Sequence, residues 1–226
     1  MRKYKNLTII GTSHISGESI QEVERNILEV RPEVVAIELD RKRFNSLVYN
    51  KKTKFRIRDI KSIGLKGFLF NLIGSFIENK LGKLVNVKPG SEMRMAVKSA
   101  YKIKAKIALI DQDITVTLRR LSNKLSTREK LRFVLDVLKS LFVGEKIPFD
   151  IKKVPGKEVV AKLTNTVKKR YPTIYKVLIE ERNYVMGRYL YGLMQGYNKI
   201  IAVVGIGHEA EIISEIKKWE SLQSRK

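Results

Sequence analysis

Cysteine is absent from the 226 residues, and histidine occurs only twice. The missing thiols exclude disulfides, Cys-ligated zinc, iron–sulfur clusters and a thiol nucleophile, and they fit a reducing compartment. Acids are scarce as well. Against 46 Lys and Arg stand 23 Asp and Glu, a formal net charge of +23. Such a field favours anionic partners, either nucleic acid or the anionic face of a membrane. A Lys-rich background, or adaptation to salt or heat, accounts for the charge equally well. Helix-turn-helix, RNP-type and zinc-finger signatures are missing, which argues against nucleic acid. No apolar run is long enough to span a bilayer. The longest, Ile63 to Ile77, falls short of the roughly 20 residues required. It reads as a core helix, a lid, a dimer face or an interfacial helix. The basic stretch 41–66, with ten Lys and Arg against one Asp, keeps membrane-surface contact open for it. Met1-Arg2-Lys3-Tyr4-Lys5 leads directly into a short strand, so no secretory signal is expected. The setting this suggests is the cytoplasm or the cytoplasmic face of a membrane.

What is present is an alternation of short apolar runs and amphipathic segments. Strands are expected at about 7–10, 34–38, 106–110 and 200–204. Each is a nearly continuous apolar run, as in strands buried on both faces of a parallel sheet. Ile20, Val23, Ile27 and Val30 recur at helical spacing after a candidate N-cap at Ser16, and Pro32 ends that helix. A second helix is expected over about 91–103, burying Met95, Ala96 and Ala100. Residues 115–198 read as mostly helical, with breaks near Gly144 to Pro155 and near Pro172, and a final helix is expected over about 209–219. The expected fold is α/β, a mainly parallel central sheet with flanking helices. One domain, 1–226, would carry a lid-like helical segment at about 60–90 and a helical insertion at about 120–195.

Both histidines occupy the same frame, Gly11-Thr12-Ser13-His14 and Gly205-Ile206-Gly207-His208, each directly after an apolar run. With glycine at roughly 7% of positions, chance would place Gly three residues before both about 0.5% of the time. The pair therefore reads as one site built from the two ends of the chain. Ligands bind beyond the carboxyl ends of strands in open parallel sheets. If these two strands are neighbours, the imidazoles can converge there. The glycines suit a turn that needs positive φ or close backbone approach. Two neutral imidazoles suit Zn, Mn, Fe or Co, but two ligands do not hold a metal, so carboxylates are needed. Glu38 ends the second strand, where it either caps the next element or joins the site. Asp111 ends the third and invites the same argument, whereas Asp113 suits a turn or a cap. Glu92 at a helix start either opposes the helix dipole or serves the site. Glu181 shares an apolar helical face with Val177, Leu178 and Val185, and a buried carboxylate needs a partner. Arg182, adjacent in sequence, points about 100° away on an α-helix.

These segments together resemble the TraB/PrgY family, whose wider circle includes the GumN and Tiki proteins. The matching residues are Gly11-Thr-Ser-His14-Ile-Ser16, Val35-Ala-Ile-Glu38-Leu-Asp-Arg41-Lys-Arg43 and Gly90-Ser-Glu92-Met93 with Ala96 and Ala100. Leu109-Ile-Asp111-Gln-Asp113-Ile-Thr-Val-Thr117-Leu-Arg119, Glu181-Arg182-Asn183 and Val203-Val-Gly205-Ile-Gly-His208 complete the set. The resemblance implies a metal-dependent, protease-like α/β fold related to erythromycin esterase and to ChaN-type haem-binding proteins. Its two Gly-x-x-His motifs and acidic residues would be the active site, and signalling peptides would be candidate substrates. It also implies that relatives often continue into several membrane-spanning helices beyond this region. Two positions depart from the family pattern. The resemblance puts Gln112 where relatives commonly carry Arg, and Asn183 where they commonly carry Asp; if those residues belong to the reaction machinery, it does not carry activity over to this chain.

The first reading is a metal-dependent peptidase-like hydrolase, with His14, His208 and Glu38 on one divalent ion. Glu181 or Asp111 would be the general base, and Arg43, Arg119 or Arg182 would stabilise the oxyanion or orient the carboxylates. The second is a binding module that holds a metal, a haem or an anionic ligand without turnover. The third is a scaffold for nucleic acid or another acidic partner, driven by charge alone. A peptide or protein substrate, an anionic membrane surface and a second copy of the chain are the partners these readings imply.

Overall fold

The structure, a computed structural model, describes residues 1–12, 17–49, 90–129, 131–132, 135–136 and 157–223. His14, Ser16, the lid-like segment with its apolar Ile63–Ile77 stretch, and the Gly144–Pro155 break lie outside the described residues. At the centre is a five-stranded sheet in the order β1-β2-β5-β3-β4. Its strands are β1 (Arg2–Tyr4), β2 (Leu7–Thr12), β3 (Val34–Ile37), β4 (Lys106–Leu109) and β5 (Ile200–Gly205). All pairings are parallel except that of β1, which lies antiparallel on β2. The architecture is thus the mainly parallel α/β sheet expected from the apolar runs. β1 was not among the expected strands. Three residues with a Lys at the centre carry no buried-strand pattern, and a short charged strand at an edge protects the sheet from further pairing.

The helices are α1 (Gly17–Val30), α2 (Arg41–Val48), α3 (Ser91–Lys102), α4 (Ile114–Lys124), α5 (Lys157–Arg170), α6 (Pro172–Tyr175), α7 (Glu181–Gly196) and α8 (Glu209–Gln223), with a π-helical stretch Lys176–Glu180 joining α6 to α7. Successive strand residues point to opposite faces, and each face has its own helical layer. Ile200, Ala202 and Val204 pack with Met186 and Leu190 of α7 and Ile212 and Ile216 of α8. Ile201 and Val203 pack with Val23 and Ile27 of α1 and Ala96 and Ala100 of α3. Two-sided burial is why the central strands lack alternation. On α3 the buried stripe runs through Met93, Ala96, Val97 and Ala100, with Met95 only half-buried. Ala96 and Ala100 are thus buried as expected, whereas Met93 and Val97, rather than Met95, complete the face that packs with Val23 and Ile27 of α1. α7 and α8 approach closely at Gly187, where a Cβ would come within 2.7 Å of the Glu215 Cβ. Among the described residues no helix is long and apolar enough to cross a membrane.

The helix after Pro172 departs from regular α geometry. A stripe set by Ile174 and Val177 would continue in α phase at Glu181 and Val185. Instead the buried positions of α7 are Asn183, Met186, Gly187, Leu190 and Met194. The wider π turn resets the phase, and such stretches concentrate at functional sites.

Candidate active site

Strand register brings four chain segments to one edge. Thr12 pairs with Gly205, and Ile37 pairs with both Val203 and Leu109. β2 and β5 are therefore parallel neighbours, and each ends inside a Gly-x-x-His frame, at Thr12 and at Gly205, on the same edge of the sheet. At Gly11 the requirement is close approach, since a Cβ would lie 3.2 Å from the Ile206 Cα and 3.3 Å from the Glu209 Oε2. Positive φ plays no part at Gly11, Gly205 or Gly207; among the described residues the glycine that has it is Gly90, which precedes α3.

Glu38 follows β3 directly. Its backbone N–H donates to the Val203 carbonyl at 3.1 Å, and its Oε2 accepts from the Gly205 N–H at 2.6 Å. Its Oε1 accepts from Arg182 Nη2. Arg182 also donates from Nε to Asp111 Oδ1 at 3.0 Å, from Nη2 to Asp111 Oδ2 at 2.7 Å and from Nη1 to the Leu178 carbonyl at 3.2 Å. Arg43 closes the other side. Its Nη2 donates to Asp111, and its Nε donates to Asp40 Oδ2 at 2.6 Å. Asp40 in turn caps α2, accepting from the Lys42 and Arg43 N–H groups at 2.8 and 3.0 Å. Glu38, Asp40 and Asp111 are buried, so each needs these donors. Burial alone would raise the Asp111 pKa. Arg182 and Arg43 outweigh it and hold the carboxyl below its ordinary value. Both guanidiniums shift the other way, raised by the carboxylates against the effect of burial.

His208 completes the cluster at the start of α8. Its Nε2 lies 3.3 Å from Arg182 Nη1 and 3.5 Å from Glu38 Oε1. Its Nδ1 lies 2.6 Å from Asn183 Oδ1. Asn183 Nδ2 donates to Glu211 Oε2 at 2.6 Å, and the Tyr175 hydroxyl donates to Glu211 Oε1 at 2.7 Å.

Of the residues singled out in the sequence, His208, Glu38, Asp111, Arg43 and Arg182 come together here. His14 lies outside the described residues. Glu181 turns instead to α4, accepting from Lys124 at 2.7 Å and lying 3.1 Å from Arg120. Burial raises its pKa, and those two cations bring it below the ordinary carboxylate value. Arg119 is exposed on α4, and Glu92 is buried in the first turn of α3. Asp113 caps α4 by accepting from the Thr115 N–H at 2.7 Å. Gln112 donates to Thr117 Oγ1 at 2.9 Å. Sequence reasoning missed Asp40, Tyr175 and Glu211. Asp40 had a signal as a cap immediately before a helix; Glu211, three residues after His208, and Tyr175 had none.

Among the described residues no three His, Cys, Asp or Glu side chains are grouped to hold a metal ion. The donor chemistry of one pair does suit a cation. Two ligands about 2.1 Å from one tetrahedral ion lie roughly 3.4 Å apart, close to the 3.5 Å between His208 Nε2 and Glu38 Oε1. The Arg182 guanidinium is seated against both atoms.

The model of the TraB/PrgY/gumN family matches residues 2–219. An uncharacterized protein of Methanocaldococcus jannaschii is 36% identical over 222 residues, covering 96% of this chain and 54% of its own length. TraB domain-containing proteins of Homo sapiens and Bos taurus are 24% and 25% identical, each over 88% of this chain and 60% and 59% of their own lengths. The chain thus spans a little over half the length of the curated relatives it matches.

Proposed function

Since the chain belongs to the TraB/PrgY/gumN family, we propose that it is a metal-dependent, peptidase-like hydrolase working at the carboxyl edge of its sheet, with a peptide or protein as substrate. The observation that carries this reading is His208 Nε2 facing Glu38 Oε1 at 3.5 Å, two donors of the right kind side by side. His208 and Glu38 would hold a divalent ion (Mn, Co, Zn or Fe), with His14 as the third ligand from the neighbouring strand's turn. Bound there, such an ion supplies polarisation of a carbonyl and activation of a water at neutral pH. Arg182 and Arg43 bring fixed positive charge to where an oxyanion would develop. Asp111 belongs to the same cluster and is the nearer candidate for general base. Its pairing with two guanidiniums weakens it as a proton acceptor until a substrate draws one of them away. Glu181, Arg119 and Glu92 stand outside this cluster. The basic 41–66 stretch is proposed to meet an anionic membrane surface on the cytoplasmic side, and the apolar stretch after it a second copy of the chain.

The test is to measure metal content and cleavage of a peptide library by wild type, His14→Ala and His208→Ala. Cleavage should fall by about 10²-fold or more in both variants. Equal residual cleavage in all three would sink the mechanism.

A second reading, a non-catalytic binder of metal, haem or an anionic ligand, draws support from the internal pairing of the cluster. Arg182 already compensates Glu38 and Asp111, and Asn183 and Gln112 are committed to hydrogen bonds within the protein. A Soret band on haem titration, absent from the double His14→Ala and His208→Ala variant, would favour it. No spectral change at stoichiometric haem removes the haem version.

A further inference from the structure

We propose that Glu211 is a positioning residue: acting through Asn183, it holds His208 as the Nδ1–H tautomer, with the Nε2 lone pair facing Glu38 and Arg182. The argument runs along the hydrogen bonds in one direction. An ionised carboxylate only accepts, so Glu211 Oε2 at 2.6 Å must face the amide nitrogen of Asn183. That choice leaves the Asn183 carbonyl oxygen towards the imidazole at 2.6 Å. A carbonyl oxygen also only accepts, so His208 Nδ1 must carry the proton. In the neutral ring, Nε2 is then left with its lone pair. The Tyr175 hydroxyl is the second hold on Glu211, at 2.7 Å. Burial and this bond raise the tyrosine pKa, so it remains a donor.

The arrangement is orientation from behind, of the kind that fixes the ring and tautomer of a ligating histidine. A carboxylate at 183 could hold the imidazole without help. An amide can face either way, and here a neighbouring acid decides which. Glu211 is half-buried, and Tyr175, Asn183 and Glu211 line a cavity of about 330 Å³ that also holds the exposed Ser214 and Lys218. Truncating Glu211 therefore enlarges an existing space rather than opening the core.

This inference deepens the proposed site, and its readout does not depend on turnover. With two histidines in the chain, ¹⁵N-histidine NMR of the full chain, taken with a chelator at a pH where the rings are neutral, resolves both. A His14→Gln variant assigns them. His208 should show a pyrrole-type Nδ1 and a pyridine-type Nε2. Glu211→Ala should replace that pattern with a mixture of tautomers, and Glu211→Gln, which can still accept, should keep it. A pyrrole-type Nε2 in wild type overturns the inference without any variant, and so does an unchanged single tautomer in Glu211→Ala. Should the alanine variant fail to fold, Glu211→Leu and the wild-type spectrum carry the decision. Inactive protein with the Nδ1–H pattern removes the hydrolase reading alone; active protein with the opposite tautomer removes this inference alone.

Discussion

Arg182 donates to Glu38, Asp111 and the Leu178 carbonyl from one guanidinium. Removing its charge leaves two buried carboxylates with reduced compensation, and an uncompensated buried charge typically costs about 3–5 kcal/mol. Arg182→Ala is expected to lose stability on that scale in urea unfolding. Arg182→Lys should lose less, because it keeps the charge but not the planar fork that serves several acceptors at once. A loss below about 1 kcal/mol for the alanine variant would mean that the cluster is held chiefly by other groups. At this scale the sequence was partly legible. Glu38, Asp111 and His208 were visible because each ends or follows an apolar run, where a polar residue stands out. Glu211 and Tyr175 were not, since an acid on a surface helix and a tyrosine near a proline look the same whether or not they touch a buried amide.

The π-helical stretch Lys176–Glu180 decides which side chains α7 turns inward. Upstream of it, the helical region is tied down by a capping box. Ser126 Oγ accepts from the Glu129 N–H at 3.2 Å, and Glu129 Oε2 accepts from the Ser126 N–H at 3.3 Å. The other oxygen of Glu129 reaches across to accept from the Thr173 N–H at 2.8 Å, at the start of α6. One carboxylate thus serves two helix starts. Burial raises its pKa, and the bonds from Thr173 and Ser126 outweigh that and lower it. A depressed folded-state pKa means a stabilisation that is fully present above the unfolded value of about 4.3 and lost as pH falls through the folded value. Glu129→Ala should therefore cost about 1–2 kcal/mol at pH 7. The gap from wild type should narrow towards pH 3 when both are unfolded by denaturant. A gap that widens in acid would contradict the assignment. The phase reset itself was invisible to pattern reasoning, which assumes 3.6 residues per turn throughout. On that assumption Glu181 belonged to the face that meets the sheet, whereas the structure turns its largely buried carboxylate to Lys124 and Arg120 of α4 and gives the sheet-edge positions to Arg182 and Asn183.

Across the whole molecule, a net charge of +23 is a self-repulsion that opposes compactness. The Debye length falls from about 30 Å at 0.01 M salt to about 8 Å at 0.15 M. Stability should therefore rise over that range even though surface ion pairs such as Lys218–Glu215 are weakened by the same screening. A thermal midpoint that falls with added sodium chloride would show that the pairs outweigh the repulsion. The sequence by itself determined the class of fold, because strands buried on both faces must be written as unbroken apolar runs and helices as runs of period 3.6. It also determined that the two Gly-x-x-His frames follow strands. What only the tertiary structure decided is adjacency: that β5 inserts between β2 and β3, so that the end of the chain returns beside its beginning, and that Arg182 rather than Glu181 enters the site. Local patterns record how a residue sits in its own element. Partners separated by 144 positions, as Arg182 and Glu38 are, or by 167, as Gly205 and Glu38 are, are chosen by strand order and helix phase, and neither is encoded locally. The Gly-x-x-His frames thus marked where a site could be built, and the packing of the sheet supplied the residues that surround it.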